Sequence, residues 1–179
     1  MLIPDHYQLF YRRFIRFACW MVFFALLSGI LFQESTRKIP MGEFPPGIHW
    51  EAVYHLALLH GHAFLIGTLI PLAVLAMLQF GLLLGGKEIS GKVLTWGGWL
   101  YLLGAFLSIT LMLYKGYHYV LSIRFGELDF AVIHHGLFGG LEMGRHLVYG
   151  VSHVGMSVGL IILVVGVLRS LPKSSQVAT

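Results

Sequence analysis

Four long apolar runs constrain most strongly what this chain can fold into. They cover residues 14–32, 51–84, 93–119 and 142–169 approximately, and an α-helix needs about 20 such residues to cross a bilayer. Of the 179 residues, 57% are hydrophobic and only 11% are charged, unlike a soluble globular domain. The sequence therefore predicts an all-α integral membrane four-helix bundle, one domain over residues 1–179, with an interfacial loop at 120–141. Residues 173–179 are expected to lack regular structure.

The basic residues lie mainly at the ends of the apolar runs, which explains the net charge of +4 without a nucleic-acid partner. The expected partner of these runs is the lipid bilayer. On the side of the termini there are seven Lys and Arg: Arg12, Arg13, Arg16, Lys87, Lys92, Arg169 and Lys173. The opposite side has five: Arg37, Lys38, Lys115, Arg124 and Arg145. This excess predicts that both termini are cytoplasmic.

Cys19 is the only cysteine. It excludes an intramolecular disulfide, a cysteine zinc cluster and an iron–sulfur centre held by this chain alone, and no CxxCH segment attaches a c-type haem.

The second and fourth runs begin with the same polar pattern, Glu-x3-His-Leu-x5-His. Its two copies are Glu51, His55, His62 and Glu142, His146, His153. At about 100° per residue, the three side chains of each copy share one helix face, with the imidazoles about 10.5 Å apart along the axis. The repeat favours two hairpins related by internal duplication, in which the second and fourth spans run in the same direction.

Matched histidines on two like-directed spans predict a prosthetic group between them. The hypothesis is one haem b with His62 and His153 as axial ligands, since histidine is a usual haem ligand and a membrane bundle keeps the macrocycle dry. Lys115 and Arg145 are expected to pair with the haem propionates. Tyr149 lies three residues after His146 and four before His153, on the same helix face, and is the candidate proton donor to a bound substrate.

The remaining polar groups of these spans allow a second, alternative centre. Imidazoles and carboxylates at this spacing suit copper, non-haem iron or zinc. The residues proposed for it are His55, His146, His118, Glu51, Glu142 and His60. His60 points away from the shared face and has the weakest claim.

Pro71 lies inside the second run, where it removes the hydrogen bond to the carbonyl of Gly67. A kink is therefore expected between Gly67 and Pro71.

The segment HGHAFLIG, and less clearly RHLVYGVSH, resembles small bacterial four-span membrane proteins that are themselves similar to a fragment of haem-copper oxidase subunit I. The resemblance implies a bacterial inner-membrane protein in which His60 or His62 ligates haem or copper. The six-histidine pattern and the linked tyrosine of the complete oxidase are not identifiable, so the resemblance implies metal binding without oxygen reduction.

Three functions stay open at this stage. The first is electron transfer or small-molecule redox chemistry by a membrane oxidoreductase, with a quinone or a cytochrome as redox partner. The second is a proton or ion transporter or channel whose path is lined by histidine and glutamate. The third is an accessory subunit of a respiratory complex, or a homo-oligomer.

Overall fold

The computed structural model describes residues 3–172, and over this part of the chain it is a bundle of α-helices without strands. Six α-helices follow one another: α1 (Asp5–Lys38), α2 (Ile48–Phe64), α3 (Ile70–Leu83), α4 (Gly91–Arg124), α5 (Phe130–Gly136) and α6 (Glu142–Ser170). A π-helical segment, Leu65–Leu69, joins α2 to α3. The segment predicted to lack regular structure, 173–179, lies outside the described residues.

Four stretches are long and apolar enough to cross a membrane: α1, the continuous α2–α3 stretch, α4 and α6. This confirms the predicted all-α membrane bundle. The loops at 39–47 and 125–141 lie at the end of the bundle opposite the chain termini, and we call this the distal end.

Helix α1 begins nine residues earlier than the first predicted span. Tyr7, Phe10 and Phe14 continue the buried stripe that runs on through Ala18 and Met21, and they pack with Leu94 and Tyr101 of α4. Because burial of this stripe stabilises the additional helical turns, the aromatic N-terminal segment is part of α1. The predicted boundary was wrong at this point.

The π-helical segment lies immediately before Pro71, where the sequence predicts a disturbed helix. Its widened turn leaves the Ile66 carbonyl for the Tyr101 hydroxyl, which donates to it at 2.6 Å. A Cβ on Gly67 would lie 2.8 Å from the Met21 side chain, so α1 approaches this segment closely. The irregularity is thus held in place by α1 and α4.

Helix α4 is the central element, packed against α1, α2 and α6. Helices α2 and α6 both have α4 as their neighbour and have no extensive contact with each other. The side chains of Leu56, Leu59, Ile109 and Met156 belong to one apolar cluster in this region. The open interior expected between the second and fourth spans is therefore filled.

Helix α6 buries one narrow stripe, formed by Arg145, Ser152, Gly159, Leu163 and Val167. A Cβ on Gly159 would overlap the backbone nitrogen of Tyr101, and one on Gly104 would overlap that of Met156. The two backbones therefore touch, and the opposite face of α6 is left uncovered.

Candidate functional site

The structure places His62 and His153 on the outer surface of the bundle. Each ring donates its Nδ1 proton to the carbonyl one turn earlier, at 2.8 Å, to Leu58 and Tyr149 respectively. Both residues are exposed, so the prediction that they face a shared interior is wrong for the single chain. The physical reason is that apolar side chains of α4 fill the expected space. The donated proton leaves each Nε2 with a free lone pair, the form that binds metals.

The residues predicted for a second metal centre are turned to separate partners. The His118 Nε2 lies 2.8 Å from the Ile133 carbonyl, and the His60 Nδ1 lies 2.8 Å from the Ala25 carbonyl. The His55 ring packs edge-on against Tyr119, with centroids 4.9 Å apart. Within residues 3–172, no three His, Cys, Asp or Glu side chains are grouped to hold a metal ion. A centre built from that residue set has no geometric support in this chain.

Two cations, by contrast, are brought together at the distal end. Arg145 of α6 is 8% exposed, and its guanidinium donates to the His134 carbonyl at 3.0 Å. The half-buried Lys115 of α4 lies over the Tyr119 ring, with Nζ 5.8 Å from the centroid. Both line a cavity of about 190 Å³, the distal pocket, whose other walls are His134, Leu137, His146 and Tyr149.

Neither cation of the distal pocket has an acidic partner. Among the described residues, no carboxylate lies within 4.0 Å of Arg145 or Lys115. Glu142, at the start of α6, lies 3.6 Å from His135. A buried cation without a counter-charge is unfavourable, because desolvation is not compensated. An anion entering the pocket would supply the missing charge.

Three hydrogen bonds hold the walls of the distal pocket. The Tyr149 hydroxyl donates to the Leu111 carbonyl at 3.3 Å and so ties α6 to α4. The Tyr119 hydroxyl is 3.1 Å from the His134 Nδ1, which ties α5 to α4. The Arg145 bond to the His134 carbonyl ties α5 to α6. Hydrogen bonds therefore connect all three helices that form the pocket.

His134 is kept neutral by its surroundings. Desolvation lowers the pKa of its ring below the ordinary 6.5, and the charges of Arg145 and Lys115 lower it further. A neutral ring accepts or donates a hydrogen bond but adds no charge, so the positive charge of the pocket comes from Arg145 and Lys115.

The distal pocket adjoins an open apolar groove on the uncovered face of α6, which we call the α6 groove. Its volume is about 460 Å³, and its walls are His146, Leu147, Gly150, Val151, Val154 and Gly155. His146 lines both spaces. A Cβ on Gly150 would meet nothing within 4 Å, so the missing side chain helps to open the groove. The two spaces together present a cationic end and an apolar body.

A further cavity of about 330 Å³ lies on another side of Tyr119, lined by Trp50, Glu51, Tyr54, His55 and Tyr119. Here the predicted residues Glu51 and His55 do share a surface. Tyr119 contacts this cavity and, through His134, the distal pocket.

Sequence reasoning missed His134, which lines the distal pocket, and Tyr119, which contacts His134, because one lay in a loop and the other at a span end. A usable signal was the spacing. Lys115 and Tyr119 on α4, and Arg145 and Tyr149 on α6, are each four residues apart, which puts a cation and a phenol on one face of each helix.

The comparisons with known proteins give a family but no function. The family model described as "Protein of unknown function (DUF2871)" matches residues 11–170. No curated protein and no solved structure matches. The similarity to haem-copper oxidase subunit I is not shown by any of them and stays a prediction.

Proposed function

We propose that this chain, which belongs to the DUF2871 family, binds an apolar molecule with carboxylate groups. The binding site lies at the distal end of its multi-pass membrane bundle. The observation that supports this best is the buried Arg145, which has no acidic partner among the described residues and lines, with Lys115, a pocket that adjoins an apolar groove. Carboxylates at the two cations and an apolar body in the α6 groove would satisfy both spaces at once.

Haem b is the occupant that we favour. Its propionates suit Arg145 and Lys115, and its flat apolar macrocycle suits a groove with Gly150 and Gly155 on its wall. His146 lines both spaces and is the nearest candidate for the iron ligand, while His153 follows two turns later with a free Nε2. A bound haem would supply one-electron redox chemistry, so the function proposed is electron transfer to or from a quinone or a cytochrome.

Tyr149 has a supporting role in this proposal. Its hydroxyl donates to the Leu111 carbonyl, and Tyr149 also lines the distal pocket, where the same hydroxyl is able to turn and donate to a carboxylate instead. This replaces the sequence-based hypothesis of a proton donor to substrate with a role in positioning the ligand.

The test begins with the protein purified from its membrane in mild detergent. We expect a Soret band that shifts on reduction, at up to one haem per chain. A comparison of His146→Ala with His153→Ala identifies the iron ligand, because the band changes position in the variant that has lost the ligand. If the protein is colourless but releases another apolar acid on extraction, haem is excluded and the anionic ligand is retained. A preparation that holds no acidic ligand, and takes up neither haem nor a fatty acid, contradicts both the haem proposal and the proposal of an apolar acid.

Proton transfer is a second candidate, and one contact favours it. His55, Tyr119 and His134 touch in sequence between two cavities, and the Tyr119 hydroxyl lies 3.1 Å from the His134 Nδ1. The hydrogen bond between Tyr119 and His134 is the link able to pass a proton toward the distal pocket, and the His55 ring lies beside it. Proton flux in proteoliposomes that is abolished by Tyr119→Phe would support this role. Equal flux in the variant and the wild type would exclude it.

The membrane orientation is also a proposal. If Lys115 and Arg145 serve the ligand, only Arg37, Lys38 and Arg124 remain as orienting charges on the distal side. The distal side then has three basic residues and the side of the termini has seven, which favours cytoplasmic termini for the bacterial inner-membrane protein that we propose. A cysteine reporter in the loop 39–47 should be labelled from outside the inner membrane, and one in the loop 84–90 only from the cytoplasmic side. Labelling from the same side would refute the orientation.

A further inference from the structure

Another cavity lies at the opposite end of the bundle from the distal pocket. It is found between the turn that precedes α4 and the last turns of α6. We call it the proximal cleft. Its volume is about 430 Å³, and its walls include Lys87, Ser90, Val93, Ile162, Val165 and Arg169. None of these residues belongs to the distal pocket or the α6 groove.

The proximal cleft is held by backbone contacts. The Lys87 amide donates to the Ser170 carbonyl at 2.8 Å, which ties the turn to the end of α6. The Ser90 hydroxyl accepts from the Val93 amide at 3.4 Å and caps α4. A Cβ on Gly166 would lie 3.3 Å from the Val93 side chain, so the two helices meet closely at the floor. The cleft is a feature of the helix ends, with fixed walls.

The charges of the cleft are uneven. Among the residues that the structure describes, Lys87 and Arg169 line it and Glu88 is the one acidic side chain on its wall, which leaves a net charge of +1. In the described chain, neither Lys87 nor Arg169 has a carboxylate within 4.0 Å, and both side chains are exposed. Below them the wall is apolar, formed by Val93, Ile162 and Val165.

The depth of the cleft points to the boundary of the bilayer. Helix α4 begins at Gly91 and α6 ends at Ser170, so the cleft lies where two membrane-crossing helices leave the apolar region. Basic clefts between such helix ends bind the head groups of anionic lipids, because the phosphate meets the cations while the acyl chain meets the apolar wall.

We propose that the proximal cleft is a binding site for one anionic phospholipid. Its phosphate lies between Lys87 and Arg169, and an acyl chain follows Ile162 and Val165 toward the middle of the membrane. A soluble phosphate would leave the apolar wall without a ligand group against it. A zwitterionic lipid would bring its own cationic head group next to Lys87 and Arg169. This site is independent of the function proposed for the distal end.

The test uses the full chain in detergent, with phosphatidylglycerol and phosphatidylcholine of identical acyl chains as probes. Native mass spectrometry should show one retained phosphatidylglycerol per chain, bound at least tenfold more tightly than phosphatidylcholine. Lys87→Gln and Arg169→Gln should each reduce this retention about tenfold. Lys92→Gln is the matched control, because Lys92 is an exposed cation in the first turn of α4 but is not part of the cleft wall.

Four results would overturn the proposal. One is equal retention of the two lipids, and another is a loss of retention in Lys92→Gln as large as that in Arg169→Gln. A third is displacement of the lipid by millimolar inorganic phosphate, which would assign the cleft to a soluble anion. The last is binding that survives in the Lys87→Gln, Arg169→Gln double variant. Thermal unfolding of each variant without lipid separates loss of the site from loss of the fold.

Discussion

At the scale of single residues, the proposal of an acidic ligand depends mainly on Arg145. Arg145 is 8% exposed, and within the described part of the chain its guanidinium is bonded only to the His134 carbonyl, so it keeps much of its desolvation penalty. Structural arginines are normally paired, whereas binding sites tolerate such strain because the ligand relieves it. Sequence reasoning assigned Arg145 and Lys115 to an acidic ligand, and the structure brings both to one cavity. The ligand itself stays a prediction.

Arg145→Met separates a binding role from a structural one. Removing an unpaired buried cation while keeping an apolar side chain of similar length should raise the thermal midpoint of the ligand-free protein by a few degrees. The same variant should lose binding of the acidic ligand. A fall in the midpoint would mean that Arg145 stabilises the bundle and that its missing counter-charge is not the basis of a site.

His134 should report the state of the distal pocket. Its ring pKa is lowered in the folded protein, so below pH 6.5 the unfolded chain binds a proton at His134 more readily than the folded chain does. The folded state therefore loses stability as the pH falls from 6.5 to the folded-state pKa. An anion at Arg145 and Lys115 would raise that pKa. The groups that act on His134 are Arg145, Lys115, Glu142, His146 and, by hydrogen bond, Tyr119.

The measurement is an NMR titration of imidazole-labelled protein with and without the acidic ligand. His134→Asn identifies the signal. An upward shift of the His134 pKa on binding is expected. An unchanged pKa at saturating ligand would show that the ligand binds away from the two cations.

At the scale of helices, the sequence predicted which residues share a face but not which face turns inward. Glu51, His55 and His62 were correctly placed on one side of a helix, yet His62 is exposed. In a soluble protein the apolar stripe marks the core. In a membrane both the lipid side and the core side are apolar, so hydrophobic periodicity loses this meaning. Packing then depends on close backbone approach, which glycines reveal better than histidines do.

The contact between α4 and α6 gives an element-scale prediction. A Cβ at Gly159 would overlap the Tyr101 nitrogen, and backbone cannot move aside as a flexible side chain does. Gly159→Ala should therefore lower the free energy of unfolding by about 1–3 kcal/mol, as overpacking usually does. Gly61→Ala is the control, because a Cβ there meets nothing within 4 Å and alanine favours helix.

The two variants are compared by thermal or denaturant unfolding in the same detergent. We expect the Gly61→Ala protein to match or slightly exceed the wild type. Equal stability of both variants would show that α4 and α6 do not approach as closely as described.

At the scale of the whole molecule, the bundle is organised around α4 and not around a space between α2 and α6. The hydropathy pattern was sufficient for the four spans and the fold class. It was insufficient for the neighbours of each span, because helix order in space depends on contacts such as those of Gly104 and Gly159 that no apolar run records. For the proposed function, this arrangement leaves the distal end and the uncovered face of α6 as the places where a ligand would bind.

The most direct test of this account is a difference-absorption titration of the ligand-free protein with haem. The wild type should saturate at one haem per chain, and Arg145→Gln should weaken binding about 10- to 100-fold, because a charge-assisted hydrogen bond is lost. Arg124→Gln, which removes an exposed cation at the same end, should bind as the wild type does. Equal affinity in all three proteins, or no saturable binding in any of them, would contradict the proposal that Arg145 and Lys115 hold the carboxylates of haem.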